Sequence, residues 1–330
     1  MLPIYKPDSM NIELTTNCPL NCPQCYCKPT GGKNIDKDKA VFRLKQAGEM
    51  GVRSVHLSGG ESLCYPHIYE LVSAASTYCE NVYVALSGWG FTGEVFDKLI
   101  SAGISGIFIS LNGSTKEINA KTRDGYEHAI HALSLLKEKR YTETWINWVM
   151  HSTNTDDFIN VLDLAEEYEV KNLVIMALKP DSNNKMDTAP DAEQMTGLAK
   201  LTRRYRGKVQ IMVEACYSPM MALVFDNKWS GNTNTGVEKG CGAGLTSFSV
   251  NVDANLSPCR HLDYFENSQS LVEYWQQSPV IRMLRMLDYV KKAPCNECYF
   301  GPYCRHCIAI NTKMNGGMYI GNEMCGLHNI

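Results

Sequence analysis

The stretch NIELTTNCPLNCPQCYC, residues 11–27, sets three cysteines at Cys18, Cys22 and Cys25 in the spacing C-x3-C-x2-C. Three thiolates can hold three irons of a [4Fe–4S] cluster and leave the fourth iron without a protein ligand. An open iron can take a small molecule, as an open zinc position can. A zinc knuckle or a chance group of thiols is the rival reading. Structural zinc needs a fourth protein ligand, and the nearest spare thiol, Cys27, lies only two residues on. Residues 10–14, MNIEL, read as a short strand that delivers the chain into the cysteine loop. Pro19, Pro23 and Pro29 hold that loop out of regular structure. A loop at the C-terminal end of a barrel strand is a usual place for an active site.

Working outward, strand and helix alternate. Helices are expected at 37–50, 67–77, 94–102, 127–139 and 156–167, with strands at 54–58, 82–86, 106–111, 144–150 and 171–176. A further strand is expected at 209–214. This alternation argues for a parallel sheet flanked by helices. Six βα steps fall short of the eight of a closed barrel. The fold class expected is α/β.

The three cysteines, their place after the first strand and the six βα steps together resemble the radical SAM superfamily. The resemblance implies a partial (β/α)6 TIM barrel. It implies that the open iron chelates the amino and carboxylate groups of S-adenosylmethionine, and that the cluster's electron cleaves it to a 5′-deoxyadenosyl radical. The family usually has an aromatic residue before the third cysteine; here it is Gln24, with Tyr26 following. Gly59-Gly60-Glu61, about 35 residues past the motif and directly after a strand, resembles the loop that holds the cofactor's amino group. Glycines there let a backbone approach a ligand. Ser87 stands where many relatives have Thr. Ser110-Leu111-Asn112-Gly113 and Arg123 resemble the S-L-D-G and R-G of relatives, which implies that Ser110 and Arg123 bind the carboxylate. Asn112 replaces the more frequent Asp. An arginine fork matches a carboxylate bidentately; an ordinary solvated charge at a helix start is the bland alternative.

The second half changes character. Cys241 and Cys259 are followed by Cys295-x2-Cys298-x5-Cys304-x2-Cys307 and, after seventeen intervening residues, Cys325. This resembles the SPASM extension of radical SAM enzymes, with two departures. Ala254 stands where the pattern has Gly, and the gap from Cys304 to Cys307 is one residue short. The resemblance implies two auxiliary [4Fe–4S] clusters, so three in all. Cys295, Cys298, Cys304 and Cys325 would hold the distal one, and Cys241, Cys259 and Cys307 the proximal one. The fourth proximal position is open to Cys216, which could instead be a hydrogen-atom donor in catalysis or a structural thiol. A binuclear zinc domain is the physical rival. The expected division is a barrel at 1–215 and a small cysteine-rich SPASM domain at 216–330.

The chain has 330 residues, 44% hydrophobic and 20% charged, with formal net charge −3. Nothing suggests a nucleic-acid partner. No apolar run approaches membrane-spanning length, and the N-terminus has no signal-peptide core. A cytoplasmic protein is expected, since fourteen cysteines without a signal peptide point to metal rather than disulfides. Relatives with this layout mostly modify ribosomally made peptides by crosslinking, thioether formation or epimerisation. A minority act on small molecules or haem-like cofactor precursors, and a non-catalytic iron–sulfur protein is the third class. The first strand begins near Met10, so a leader-binding domain is not expected. A separate leader-peptide-binding protein would then serve, along with an electron donor such as flavodoxin or ferredoxin.

Overall fold

A computed structural model gives the structure of the chain. It describes all residues except 1–4, 28–31, 181–186, 218–239, 300, 302–303 and 322–330. Cys325 therefore lies outside the described residues.

Nine strands are described, in one sheet of order β7-β6-β5-β4-β3-β2-β1-β8-β9. They are β1 (Ser9–Glu13), β2 (Ser54–Ser58), β3 (Asn81–Leu86), β4 (Gly106–Ser110), β5 (Thr144–Met150), β6 (Asn172–Ala177), β7 (Gln210–Val213), β8 (Ser247–Val250) and β9 (Leu256–Ser257). Strands β1 to β7 run parallel in chain order, each crossing over through a helix on the way to the next. These helices are α1 (Lys37–Glu49), α2 (Ile68–Tyr78), α3 (Gly93–Ser101), α4 (Lys116–Ala120) with α5 (Tyr126–Glu138), α6 (Phe158–Glu167) and α7 (Ala192–Arg204). This is the partial barrel expected, extended by β7 and, beyond β1, by β8 and β9. The two added strands are short and come from the cysteine-rich half, where spacing of cysteines hides the strand pattern.

The pleat explains which side chains reach the site. Along β1, Met10, Ile12 and Leu14 are fully buried among helix residues such as Leu44 and Leu71. The alternate residues, Asn11 and Glu13, take the opposite face. On that face an aromatic ladder crosses four strands: His56 stacks on Tyr83 (5.0 Å), Tyr83 meets Phe108 (5.6 Å), and Phe108 meets Trp145 (5.1 Å). Burial pushes His56 down to about 4, with the Arg260 charge adding to it, so the ring is neutral and packs as a hydrophobe. The ladder fills the inner face and leaves Glu13 and Ser58 at the strands' C-terminal ends.

The C-terminal half is fastened to the barrel by a buried cation. Arg43 of α1 donates through Nε and Nη2 to the Ala254 carbonyl (3.2 and 3.1 Å) and through Nη2 to the Ser268 carbonyl (2.6 Å). Ala254 has φ +62°, the left-handed region where glycine is at ease. That explains the Gly of the SPASM pattern at this position. Helices α8 (Leu271–Gln277), α9 (Pro279–Arg285), α10 (Leu287–Val290) and α11 (Ile308–Asn315) complete the described α-helices. A second apolar cluster, with Leu178, Leu262, Leu284, Leu287 and Ile308, forms around the cysteine-rich segments. Among the described residues no helix is long and apolar enough to cross a membrane.

Candidate active site

The cysteine loop leaves β1 and is zipped by backbone to the loop after β2. Leu14 donates to the Ser58 carbonyl (2.7 Å), Gly60 to that of Thr15 (2.7 Å) and Glu61 to that of Asn17 (2.8 Å). Such closeness leaves no room for side chains. A Cβ on Gly59 would lie 2.5 Å from the Thr15 oxygen, and one on Gly60 would collide with the Asn17 carbonyl. Gly59 also has φ +139°, which only glycine adopts readily. On its other side the loop is tied to the segment after α4. There Asn21 donates to Asp124 (3.1 Å) and Gln24 to the Thr122 carbonyl (3.3 Å).

Cys18, Cys22 and Cys25 are partly buried on this loop. Burial pushes the Cys18 thiol up to about 11. A backbone hydrogen bond from Leu20 opposes this, and the charges of Glu61, Cys22 and Cys25 add to it. The three thiols are thus in one another's field, and in that of Glu61. Cys27 points back and donates to the Gly59 carbonyl (3.4 Å).

Glu61 is buried, and its carboxylate accepts from Ser87 twice: from the backbone N–H (2.8 Å) and from the hydroxyl. Burial raises its pKa, while the Ser87 bonds and the nearby Arg123 charge act the other way. Ser87 therefore aims Glu61. Arg123, fixed through its backbone to Asn119, has a buried Nε with no partner among the described residues. Ser110 closes β4 opposite Asn147 of β5. Asn112 sits deeper: its Nδ2 donates to Thr122 (3.0 Å) and its Oδ1 accepts from Val149 (3.0 Å), so both ends of the amide hold the scaffold together. Two residues not singled out by the motifs join this rim. Gln24 donates to Thr188 Oγ1 (3.1 Å), which also meets Nδ1 of the fully buried His151 (2.9 Å). Burial drives that imidazole down to about 4. No spacing rule marks them, since their partners lie far along the chain.

A second group of thiols forms where the sheet's two ends approach each other. Cys216, in the 3-10 turn Ala215–Tyr217 after β7, hydrogen-bonds Cys241 and Cys307. Cys259, just past β9, lies within the electrostatic reach of Cys241 and Cys307, and burial pushes its thiol up to about 12. The bond from Cys216 pulls Cys241 down to about 6, against burial and helped by Arg305, and it lowers Cys307 as well. Cys216 itself is held protonated. Beside them Lys179 and Glu214 form an ion pair of 2.8 Å, with side chains 6% and 23% exposed. Cys295, Cys298 and Cys304 lie along a separate segment in which Gly301 N–H bonds Cys298 O (2.8 Å) and Cys304 N–H bonds Gly301 O (3.3 Å).

The thiols are neighbours rather than closed cages. Among the described residues no three or more His, Cys, Asp or Glu side chains converge as a finished metal site. The donor chemistry nonetheless fits iron–sulfur ligation. Three thiols share the first loop, Cys216 neighbours Cys241 and Cys307 in the second group with Cys259 in their field, and thiolates are what such clusters require. The orphaned Arg123 Nε and the buried Glu61 fit a ligand carrying both a carboxylate and an ammonium.

Comparison with known proteins agrees with this geometry. Residues 12–165 match the Radical SAM superfamily. The PqqA peptide cyclase of Ruegeria pomeroyi is 26% identical, over 94% of this chain and 82% of the relative. The AdoMet-dependent heme synthase of Methanosarcina barkeri is 22% identical, covering 90% of each. Among solved structures, Streptococcus suis SuiB bound to precursor peptide SuiA superposes with a TM-score of 0.78 at 17% identity, covering 98% of this chain and 77% of that one. Residues 12–165 of this chain thus match a radical SAM domain, set in a fold shared with that structure.

Proposed function

We propose that this enzyme abstracts a hydrogen atom from a ribosomally made peptide and so starts a crosslink, a thioether bond or an epimerisation. A four-iron cluster on Cys18, Cys22 and Cys25 would supply the electron that cleaves S-adenosylmethionine to a 5′-deoxyadenosyl radical. The chain's own residues do the positioning. Glu61, aimed by Ser87, accepts from the ammonium together with the carbonyls of the Gly59–Gly60 turn; Arg123, with Ser110, receives the carboxylate. The residues 1–215 carry the radical chemistry in this reading, and 216–330 the auxiliary clusters.

One observation carries the second half of the proposal: Cys216 touches both Cys241 and Cys307, with Cys259 alongside. That contact, with Cys259 in the field of Cys241 and Cys307, suits a proximal-cluster ligand better than a free hydrogen donor. Cys295, Cys298 and Cys304, with Cys325, are the proposed distal set. The peptide substrate is supported by the PqqA peptide cyclase relative.

The test is anaerobic. Reconstituted protein should bind about twelve irons per chain and form deoxyadenosine from S-adenosylmethionine under reduction. Incubation with precursor peptides encoded near its gene should yield a peptide of altered mass. The heme synthase relative favours a second reading, a small-molecule substrate. Deoxyadenosine formation stimulated by a porphyrin precursor, with every peptide unchanged, would select that reading. Zinc in place of iron at the C-terminal thiols would refute the auxiliary clusters.

A further inference from the structure

Between the cysteine loop and the C-terminal half lies a cavity of about 160 Å³. Its walls include Glu13, Tyr26, Cys27, Arg260, Asp263 and Lys313. Of the residues assigned to S-adenosylmethionine, only Gly59 borders it. The cavity is therefore a neighbour of the cofactor site, next to Cys259 on one side and the radical loop on the other. Its volume is below the roughly 300–1,000 Å³ of pockets that enclose whole small ligands. It suits one side chain or one chain end.

Arg260 dominates the inner wall. Its guanidinium lies over the Tyr26 ring, 4.7 Å from the centroid, with the side chain 15% exposed. Nη1 donates to Ser58 Oγ (2.7 Å). Nη2 makes only long contacts, 3.4 Å to Glu13 Oε1 and 3.9 Å to Cys27 Sγ, and Nε is buried with no partner among the described residues. An arginine has five N–H donors in a planar fork, so this one is under-used. The second cation, Lys313 of α11, is 24% exposed and reaches Asp263 only at 3.6 Å, while Asp263 is 81% exposed and solvated. Two sheltered cations thus face one sheltered carboxylate, that of Glu13. A buried cation without a full partner is costly, and a carboxylate delivered by a ligand would offset that cost.

We propose that this cavity captures a carboxylate of the substrate peptide, with Arg260 as its anchor and Lys313 as the second cation. This would hold the adjoining residue beside the cofactor. The proposal rests on the peptide reading above. The carboxylate can belong to an Asp or Glu side chain or to the peptide's C-terminus.

The experiment uses iron-loaded enzyme with S-adenosylmethionine and a pooled library of synthetic twelve-residue peptides. The pool is made as C-terminal acids and as C-terminal amides, and retained peptides are read by affinity-selection mass spectrometry. The retained amide pool should be enriched in Asp or Glu at one position if a side chain is captured. Retention confined to the acid pool assigns the chain end. For a retained peptide, removing the carboxylate (Glu→Gln, or amidation) should weaken binding about tenfold or more on wild type. The same change should cost under about twofold on Arg260→Gln. Lys313→Gln, which touches neither Ser58 nor Cys27, should show a smaller loss of the same selectivity and decides the matter if Arg260→Gln fails to load iron. Retained peptides indifferent to carboxylates, or undiminished selectivity in the loaded variants, would overturn the cavity proposal and leave the peptide reading standing. Retention of no peptide from either pool would sink the peptide reading, and this proposal with it.

Discussion

Replacing Arg123 with Met tests the cofactor assignment at its most exposed point. The side chain is anchored by its backbone, not by its fork: Asn119 holds both the N–H and the carbonyl of residue 123. The fork can therefore be removed without unpicking the loop. Losing one charge-assisted hydrogen bond typically costs ~1.5–3 kcal/mol, or roughly ten- to a hundredfold in affinity. A second effect adds to the first. Arg123 is one of the groups that counter the rise in the Glu61 pKa caused by burial. Without it that carboxyl rises further. A raised carboxyl is ionised only as pH climbs through its raised value, so affinity resting on its charge is gained with rising pH and lost with falling pH. The affinity loss in Arg123→Met should therefore be larger at the lower of two pH values chosen above the ordinary carboxylate range. Arg123→Lys keeps a charge without the fork and should recover part of the affinity. Equilibrium binding of S-adenosylmethionine to iron-loaded protein, at both pH values, reads all of this. Unchanged affinity at full iron content would move the carboxylate contact to another basic residue.

Three further outcomes follow from the geometry. Cys216→Ala should lower iron content or change the electron-spin signal of the reduced protein while deoxyadenosine is still formed; full iron and an unchanged spectrum would defeat the ligand role, and deuterium incorporation from solvent lost only in the variant would establish a hydrogen donor instead. Lys179→Met strands the Glu214 carboxylate and should cost about 3 kcal/mol in thermal or denaturant unfolding; burial opposes the Lys179 charge, but Cys216 and Glu214 outweigh it and raise its pKa, so this stabilisation is complete below the ordinary lysine value and fades as pH rises through the raised one, and the variant should show a flatter alkaline limb. Ala254→Gly removes a left-handed alanine and should raise stability by up to about 1 kcal/mol, whereas a fall in melting temperature would show that glycine's unfolded-state freedom outweighs the relief.

The barrel was legible because its periodicity is local. β1 to β6 and the five longer helices between them stand within a residue or two of where alternating apolar positions put them, while the short α4 (Lys116–Ala120) was not expected, and the glycine pair at 59–60, read as room for a ligand, also lets two loops zip together. What stayed hidden depends on distance along the chain. Arg43 meets Ala254 across 211 residues and Arg260 meets Ser58 across 202. Neither arginine differs locally from a solvated surface charge. Asn112 shows another limit: the sequence does not reveal that its amide also bonds Thr122 and the Val149 N–H of β5. Ala254 departs from its pattern in residue type while keeping the backbone conformation the pattern exists to secure.

The position of Cys216 and Cys259 has a mechanical consequence. One follows β7 and the other β9, the opposite margins of a nine-stranded sheet. Among the described residues the strand ladder ends at those margins, save a bridge from Leu256 to Glu266, so nothing in it joins the two. Ligation of one inorganic cluster by both thiols would make the curled sheet a ring, closed by iron and sulfide where a true barrel is closed by peptide groups. Metal occupancy and barrel closure would then share one free energy, with any affinity gained for the closed form returned as stability of both margins. Iron loss should accordingly be felt first as faster amide exchange in β7 and β9, far from each other in sequence, while the central strands stay protected.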